Sequence, residues 1–241
     1  MPNWTFNNLK ITGNSEDMSE FYNEALKPNI NGDISFSFSN LFPMPEKIKN
    51  TISPSSSALG KKWINENLSS KRNDKLSDIL GEDDDDNTNL IPCENNSPEK
   101  CKELVKEFGA DNWYDWNIVK YGTKWDCEVL LRDSVKDDVL FECTFDTAWS
   151  PPSNFLSNLQ NKFPKLDIKL IFELEGSDEC GIFYTVRDND EVTLEYEQDE
   201  VKYVGYDDRD IYYDNKDGEW HYQDDDEVCE DYIQTNPFYE N

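Results

Sequence analysis

Apolar and polar positions alternate along much of this chain, and the period switches between two and about 3.6 residues. Trp4 to Thr12 predicts an opening strand closed by Gly13-Asn14. Ser15 is placed to cap a helix with Glu16 and Asp17 in its first turn, where acids oppose the dipole. Met18, Phe21, Tyr22 and Ala25 then give it one apolar face. Ile34, Phe36 and Phe38 alternate with Ser35, Ser37 and Ser39, predicting a half-buried strand. From Thr51 to Asn96 the pattern weakens. Ser53-Pro54-Ser55-Ser56-Ser57 is loop-like, Trp63, Ile64 and Leu68 suggest a short helix, and Glu82 to Asp86 is uninterrupted acid.

Periodicity returns at Ser97-Pro98, a cap followed by a first-turn proline. Cys101, Leu104, Val105 and Phe108 form a helical stripe that ends at Gly109. Two strands are predicted next, on Trp125, Cys127, Val129 and Leu131 and on Val139, Phe141, Cys143 and Phe145. Ser150-Pro151 opens a third helix with Phe155, Leu159 and Phe163 on one face. Leu166 to Leu174 is the cleanest alternation, and Cys180, Ile182, Tyr184 and Val186 predict its antiparallel neighbour. Val192, Leu194 and Tyr196 continue as strand, and Ile211–Tyr213 and Glu219–Tyr222 flank an Asp217-Gly218 hairpin signal.

This order predicts an α+β fold: a ferredoxin-like, split βαβ antiparallel sheet with helices on one face, plus an acidic C-terminal β-hairpin extension. The domain reading is a core at 1–187, a flexible acidic insertion at about 50–96, and an acidic β-rich extension at 188–241.

Charge changes the functional picture. The chain of 241 residues carries 52 acidic and 23 basic side chains, a net charge of −29, and −18 of it lies between Gly176 and Asn241. Such a chain repels phosphate backbones and anionic lipid, so neither direct nucleic-acid binding nor a membrane is expected. A basic host protein, such as a nucleic-acid enzyme, is the partner this charge suits. The plainer alternative is that the charge only keeps the protein soluble. Six cysteines without a CxxC pair, and no basic-then-apolar leader in Met1–Thr12, point to a reduced cytoplasmic setting.

Catalytic templates fit poorly. His221 is the single histidine, zinc-type Cys/His clusters and phosphate-binding glycine loops are missing, and aligning Gly218 to a calcium loop puts Tyr213 at the first ligand. No cofactor, metal or enzymatic activity is therefore expected. The oligomeric state is left open.

Three blocks are distinctive: Met1-Pro2-Asn3-Trp4; Trp113-Tyr114-Asp115-Trp116-Asn117 leading to Tyr121-Gly122-Thr123-Lys124-Trp125-Asp126; and Phe145-Asp146-Thr147-Ala148-Trp149-Ser150-Pro151-Pro152. Together they resemble the YubB-type and Api-type ferredoxin-like domain family of phage and plasmid proteins, over roughly residues 1–40 and 98–187. Tyr121 stands where that family usually has Trp. The resemblance implies a mobile-element origin and the fold, and it carries no assigned chemistry. Read physically, Trp113, Trp116, Trp125 and Trp149 lie at strand ends and turns and pack between helix and sheet, or else Trp149 lines a pocket with Lys124 and Asp126.

Two functions follow. In the first, the protein is a non-enzymatic mobile-element product whose acidic surface occupies a basic host protein. A DNA mimic that inhibits a defence or restriction system is its sharpest form. Glu195, Glu197, Asp207, Asp208, Asp210, Asp224, Asp225 and Asp226 would supply the charge. In the second, the Trp-lined pocket around Lys124, Asp126 and Trp149 serves small-molecule binding or catalysis.

Overall fold

The computed structural model describes residues 3–51, 98–189, 191–205, 209–214, 216, 218–224, 227–230 and 232–239. The acidic insertion predicted at about 50–96 therefore lies almost entirely outside the described residues, as do Cys93 and the cap predicted at Ser97.

A six-stranded antiparallel sheet organises the chain, in the order β5-β6-β1-β7-β8-β9. Its strands are β1 (Trp4–Thr12), β5 (Ser134–Lys136), β6 (Leu140–Ala148), β7 (Asp167–Leu174), β8 (Glu179–Asp188) and β9 (Glu191–Glu200). β1 sits at the centre, paired antiparallel with β6 through Leu9↔Cys143 and with β7 through Leu9↔Leu170. Helix α1 (Ser15–Ala25) follows β1, and a helix we label α6 (Ser153–Lys162) joins β6 to β7. The α+β expectation holds.

One sheet face carries the core. Leu9 and Ile11 of β1, Phe141 and Phe145 of β6, and Ile168, Leu170 and Phe172 of β7 pack with Met18 and Phe21 of α1 and Phe155, Leu156 and Leu159 of α6. Rings dominate this contact, because each removes a large apolar area from water. Phe38 and Phe155 lie 4.3 Å apart between centroids, and Phe36 and Phe141 5.4 Å.

The structure corrects several local expectations. Asn14 caps α1, its side chain accepting from the Glu16 and Asp17 N–H groups, because Ser15 is already helical. The Ile34–Phe36 strand (β3) stops short of Phe38, which opens the one-turn helix α2 (Phe38–Leu41), capped by Ser37. β3 pairs with β2 (Leu26–Pro28) and with β4 (Val129–Leu130) in a small separate sheet. Of the strand predicted from Trp125 to Leu131, only Val129–Leu130 is extended and paired. The neighbour of β6 is instead β5, across Ser134↔Cys143. Ser150 does not cap α6; its hydroxyl donates to the Gly122 carbonyl at 2.8 Å.

The first tryptophan block is helical and not a turn. After α3 (Glu46–Lys49) and α4 (Pro98–Phe108) comes α5 (Trp113–Tyr121), with Asn112 accepting from the Tyr114 and Asp115 N–H groups and Gly122 closing it at φ +83°. The Gly122 N–H donates to the carbonyls of Asn117 and Ile118, as a left-handed C-terminal cap does.

β8 is paired as predicted, but its alternation faces away from that of β7. Leu170 sits opposite Phe183 and Ile171 opposite Ile182, so Cys180, Ile182 and Tyr184 point to the outer face. Because β9 continues the sheet across β8, the expected boundary at 187/188 falls inside one continuous sheet. Beyond it, β10 (Lys202–Gly205) pairs with β13 (Tyr232–Thr235), and β11 (Ile211–Asp214) pairs with β12 (Glu219–Tyr222) around Gly218 at φ +79°. No helix among the described residues is long and apolar enough to cross a membrane.

Candidate functional sites: an acidic edge strand and an aromatic groove

The register of the sheet fixes the outer face in three cross-strand rows. They run Asp146–Phe6–Glu173–Cys180–Asp199, Thr144–Asn8–Ile171–Ile182–Glu197, and Glu142–Lys10–Lys169–Tyr184–Glu195. Every row ends on a carboxylate of β9. Same-face residues on a strand lie about 6.8 Å apart, so Glu195, Glu197 and Asp199 form a regular acidic line along the sheet edge. All three are exposed, and none forms an ion pair with a lysine or arginine among the described residues.

Neighbouring groups register this negative charge. The Tyr184 phenol donates to Glu197 and is pushed up to about 12, first by that hydrogen bond, then by burial and the charges of Glu197 and Glu195. The Cys180 thiol rises to about 11 through burial, with Asp199 and Glu173 adding to it. Further in, Glu173 is engaged by the chain's own tail, accepting from Asn236 at 2.8 Å and from Gln234 at 3.3 Å. The exposed carboxylates of this face are thus the β9 row at one edge and Asp146 on β6.

Of the eight acidic residues predicted, four are described, two on β9 and two on the β11–β12 unit. Glu195 and Glu197 stand side by side on β9, joined by Asp199, which alternation did not single out. Asp210 and Asp224 belong to the β11–β12 unit, and Asp224 lies 3.5 Å from Arg209, whose guanidinium stacks on Tyr222 at 3.6 Å. Asp207, Asp208, Asp225 and Asp226 lie outside the described residues.

The second arrangement is aromatic. The turn between β6 and α6 that holds Trp149 is bound to the 122–125 loop by Ser150 Oγ–Gly122 O and by Thr123 Oγ1–Ala148 O at 3.1 Å, and to the residue before β1 by Trp149 N–Asn3 O at 2.9 Å. Trp149 adopts φ +67°, a left-handed conformation that costs a bulky residue about 1–3 kcal/mol and clusters at functional sites. Trp125 and Trp149 stack at 6.4 Å and Trp4 meets Trp125 at 5.8 Å. The Lys124 Nζ sits over both indoles, 4.7 Å from Trp125 and 4.8 Å from Trp149. Trp125 and Trp149 are 38% and 44% exposed, whereas Trp116 is 3% exposed and packs on Tyr121. Burial between helix and sheet therefore holds for Trp116 and not for Trp125 or Trp149.

Lys124 and Trp149 come together, whereas Asp126 lies on the wall of the neighbouring groove with its carboxylate turned to the backbone. Its carboxylate accepts from the N–H groups of Phe38 at 2.8 Å, Ser39 at 3.3 Å and Cys127 at 2.9 Å, tying the loop to the start of α2. Enclosure of the carboxyl raises its pKa, and these donors oppose the rise. Lys124 can lie over its neighbour Trp125 because residues 125–128 are not a strand.

Between this loop and β6 lies a groove of about 770 Å³, lined by Trp4, Asn29, Asp33, Trp125, Glu128, Arg132, Asp133 and Thr144–Ala148, among others. Residues 120–227 match the model of the ferredoxin-like domain in Api92-like protein. No curated protein matches the chain, and no solved structure does. The ferredoxin-like domain so matched contains β6, β9, Lys124, Trp125 and Trp149, and leaves out β1, the central strand of the sheet. It accords with the Api-type, ferredoxin-like part of the sequence resemblance.

Within that domain Cys127, Cys143 and Cys180 are buried free thiols, as are Cys101 before it and Cys229 after it. Burial raises the Cys101 thiol to about 12 and pushes Cys127 and Cys143 up as well, which makes them poor nucleophiles. Among the described residues no three His, Cys, Asp or Glu side chains converge as a metal site.

Trp149→Gly tests whether the exposed indole is structural. The exchange relieves the left-handed conformation and removes a half-exposed ring, two effects of opposite sign. The thermal midpoint should move by less than about 5 °C. A loss of more than about 10 °C would mean that the ring holds the core.

Proposed function

We propose that this protein is a non-enzymatic binding protein whose acidic β9 face engages a basic surface of another protein. The single observation that carries this reading is the row Glu195, Glu197 and Asp199, exposed on one face of an edge strand and unneutralised among the described residues. Regular spacing matters because a rigid line of charge keeps its field on docking, whereas charges on a loop must first be ordered. A net charge of −29 adds long-range steering toward cationic partners.

In its sharpest form the protein is a DNA mimic. It presents carboxylates where an enzyme expects phosphates and inhibits a host defence or restriction system on behalf of a phage or mobile element. The strand order β7-β1-β6-β5, with α1 and α6 as crossovers, is read as a split βαβ core that β8 widens and to which β9 and the strands after it add the acidic extension. The test is capture from a host extract at low salt, elution in a salt gradient, and assay of the eluted enzymes. Recovery of nucleic-acid enzymes that the protein inhibits supports mimicry. Inhibition that persists at high salt would sink it, because counterion-dependent contacts weaken steeply with salt.

A second reading uses the aromatic site. The specific observation behind it is the strained, exposed Trp149 beside Trp125 and Lys124.

A further inference from the structure

A sheet edge is a row of main-chain donors and acceptors, and folded proteins normally cover it or blunt it with charge. β9 is blunted by its acids. β6 is treated differently. On the side away from β1, β5 covers it only from Phe141 to Cys143, and no described strand pairs with Thr144–Ala148 there.

Alternation shows which groups this leaves facing the groove. In an antiparallel ladder, main-chain groups point to one neighbour at every second residue. Trp149 N–H donates to Asn3 O, so the odd-numbered positions of β6 face β1 and the even-numbered ones face away. The main-chain groups of Thr144 and Asp146 therefore open into the groove, while the Ala148 carbonyl is taken by the Thr123 hydroxyl. The open stretch spans roughly 17 Å of strand, about five residues at 3.4 Å each.

The charges lining this edge state what it would accept. Among the described residues Asp33 and Asp146 are exposed with no cationic partner, and Glu128 is bonded only to the Asn29 amide, at 2.8 Å. Arg132 is held 3.8 Å from Asp133 and adds no net positive charge. Trp4 and Trp125 close the end of the groove with an aromatic wall.

We propose that this groove takes an extended, basic segment of another protein as an added strand on β6. Main-chain pairing to Thr144 and Asp146 gives affinity, and alternate lysine or arginine side chains reach Asp33, Asp146 and Glu128. An acidic segment, including another copy of this chain, is rejected by the same carboxylates. The site is separate from the β9 row, because β1, β7 and β8 lie between β6 and β9.

The experiment uses the full chain and fluorescein-labelled hexapeptides alternating lysine with valine. One peptide is unmodified, one is N-methylated at the lysines and one at the valines. An added strand pairs through every second residue, so one N-methylated peptide should bind at least about tenfold more weakly and the other nearly as well as the parent. Asp33→Asn with Asp146→Asn should weaken the parent peptide about tenfold, while Glu195→Lys with Glu197→Lys should leave it within about twofold. Three results would overturn the proposal: no binding of the parent peptide, equal binding of all three peptides, or loss of binding in the Glu195/Glu197 variant instead. The last would place the peptide on β9. Failure of the β9 reading leaves this outcome untouched, since the two variants report separately.

Discussion

Phe155→Ala should cost about 3–5 kcal/mol of folding stability, the range for removing a fully buried phenylalanine. Phe155 is 0% exposed and its ring meets Phe38 at 4.3 Å, Phe42 at 5.9 Å and Phe36 at 6.1 Å. It stands where α6 presses on the small β2–β3–β4 layer and on the main sheet, so no single element can close the void. Against a usual total of about 5–15 kcal/mol, such a loss is a large part of stability. Val119→Ala is the control. Val119 is 45% exposed on α5, and its exchange should stay within about 0.5 kcal/mol. Denaturant midpoints of the two variants decide the matter, and a Phe155 loss below about 1 kcal/mol would mean that the core is not where it is described.

The second large effect belongs to Gly122→Ala. At φ +83° any L side chain is strained, by about 1–2 kcal/mol. Here a Cβ would also lie 2.9 Å from the Asn154 backbone nitrogen and 3.0 Å from that of Ser153, so the start of α6 has to move. Gly109→Ala separates the two causes, because Gly109 has φ +80° and nothing within 4 Å of a Cβ. Gly122→Ala should therefore exceed Gly109→Ala by at least about 1 kcal/mol in denaturant titrations. It should also alter the near-ultraviolet dichroism of Trp125 and Trp149, whose loops are fastened through the Gly122 carbonyl. Equal losses would show that the contact with α6 is soft.

Much of the fold is legible in the sequence because the main strands are amphipathic. The alternation of Leu166 to Leu174 and the helical stripe of Met18, Phe21 and Ala25 each have only one face that can meet a core. Period two does not say which face meets the helices, however, and β8 shows the consequence: Cys180 and Ile182 lie on the sheet face opposite the helices, where they are nonetheless buried. The alternation of Trp125 to Leu131 misleads for another reason. A strand needs a partner edge, and residues 125–128 have none because Asp126 is occupied in holding α2. Helix α5 is hidden by its aromatic content, although Asn112 and Gly122 mark its two ends and could have been found. Residue type alone could not separate the buried Trp116 from the exposed Trp125 and Trp149. That distinction comes from the left-handed turn at Trp149, which no local pattern announces.

Clustering of the acids was legible in part. Composition locates the charge in the last quarter of the chain, but only the β8–β9 register aligns Glu195, Glu197 and Asp199 on one face. The affinity of a captured basic partner for the native protein and for the Glu195→Lys, Glu197→Lys, Asp199→Lys variant, each measured across salt, tests this alignment most directly. The native protein should bind at least about a hundredfold more tightly at low salt, and its affinity should fall more steeply as salt rises. Equal affinity and equal salt slopes for the two proteins would contradict a β9 docking face.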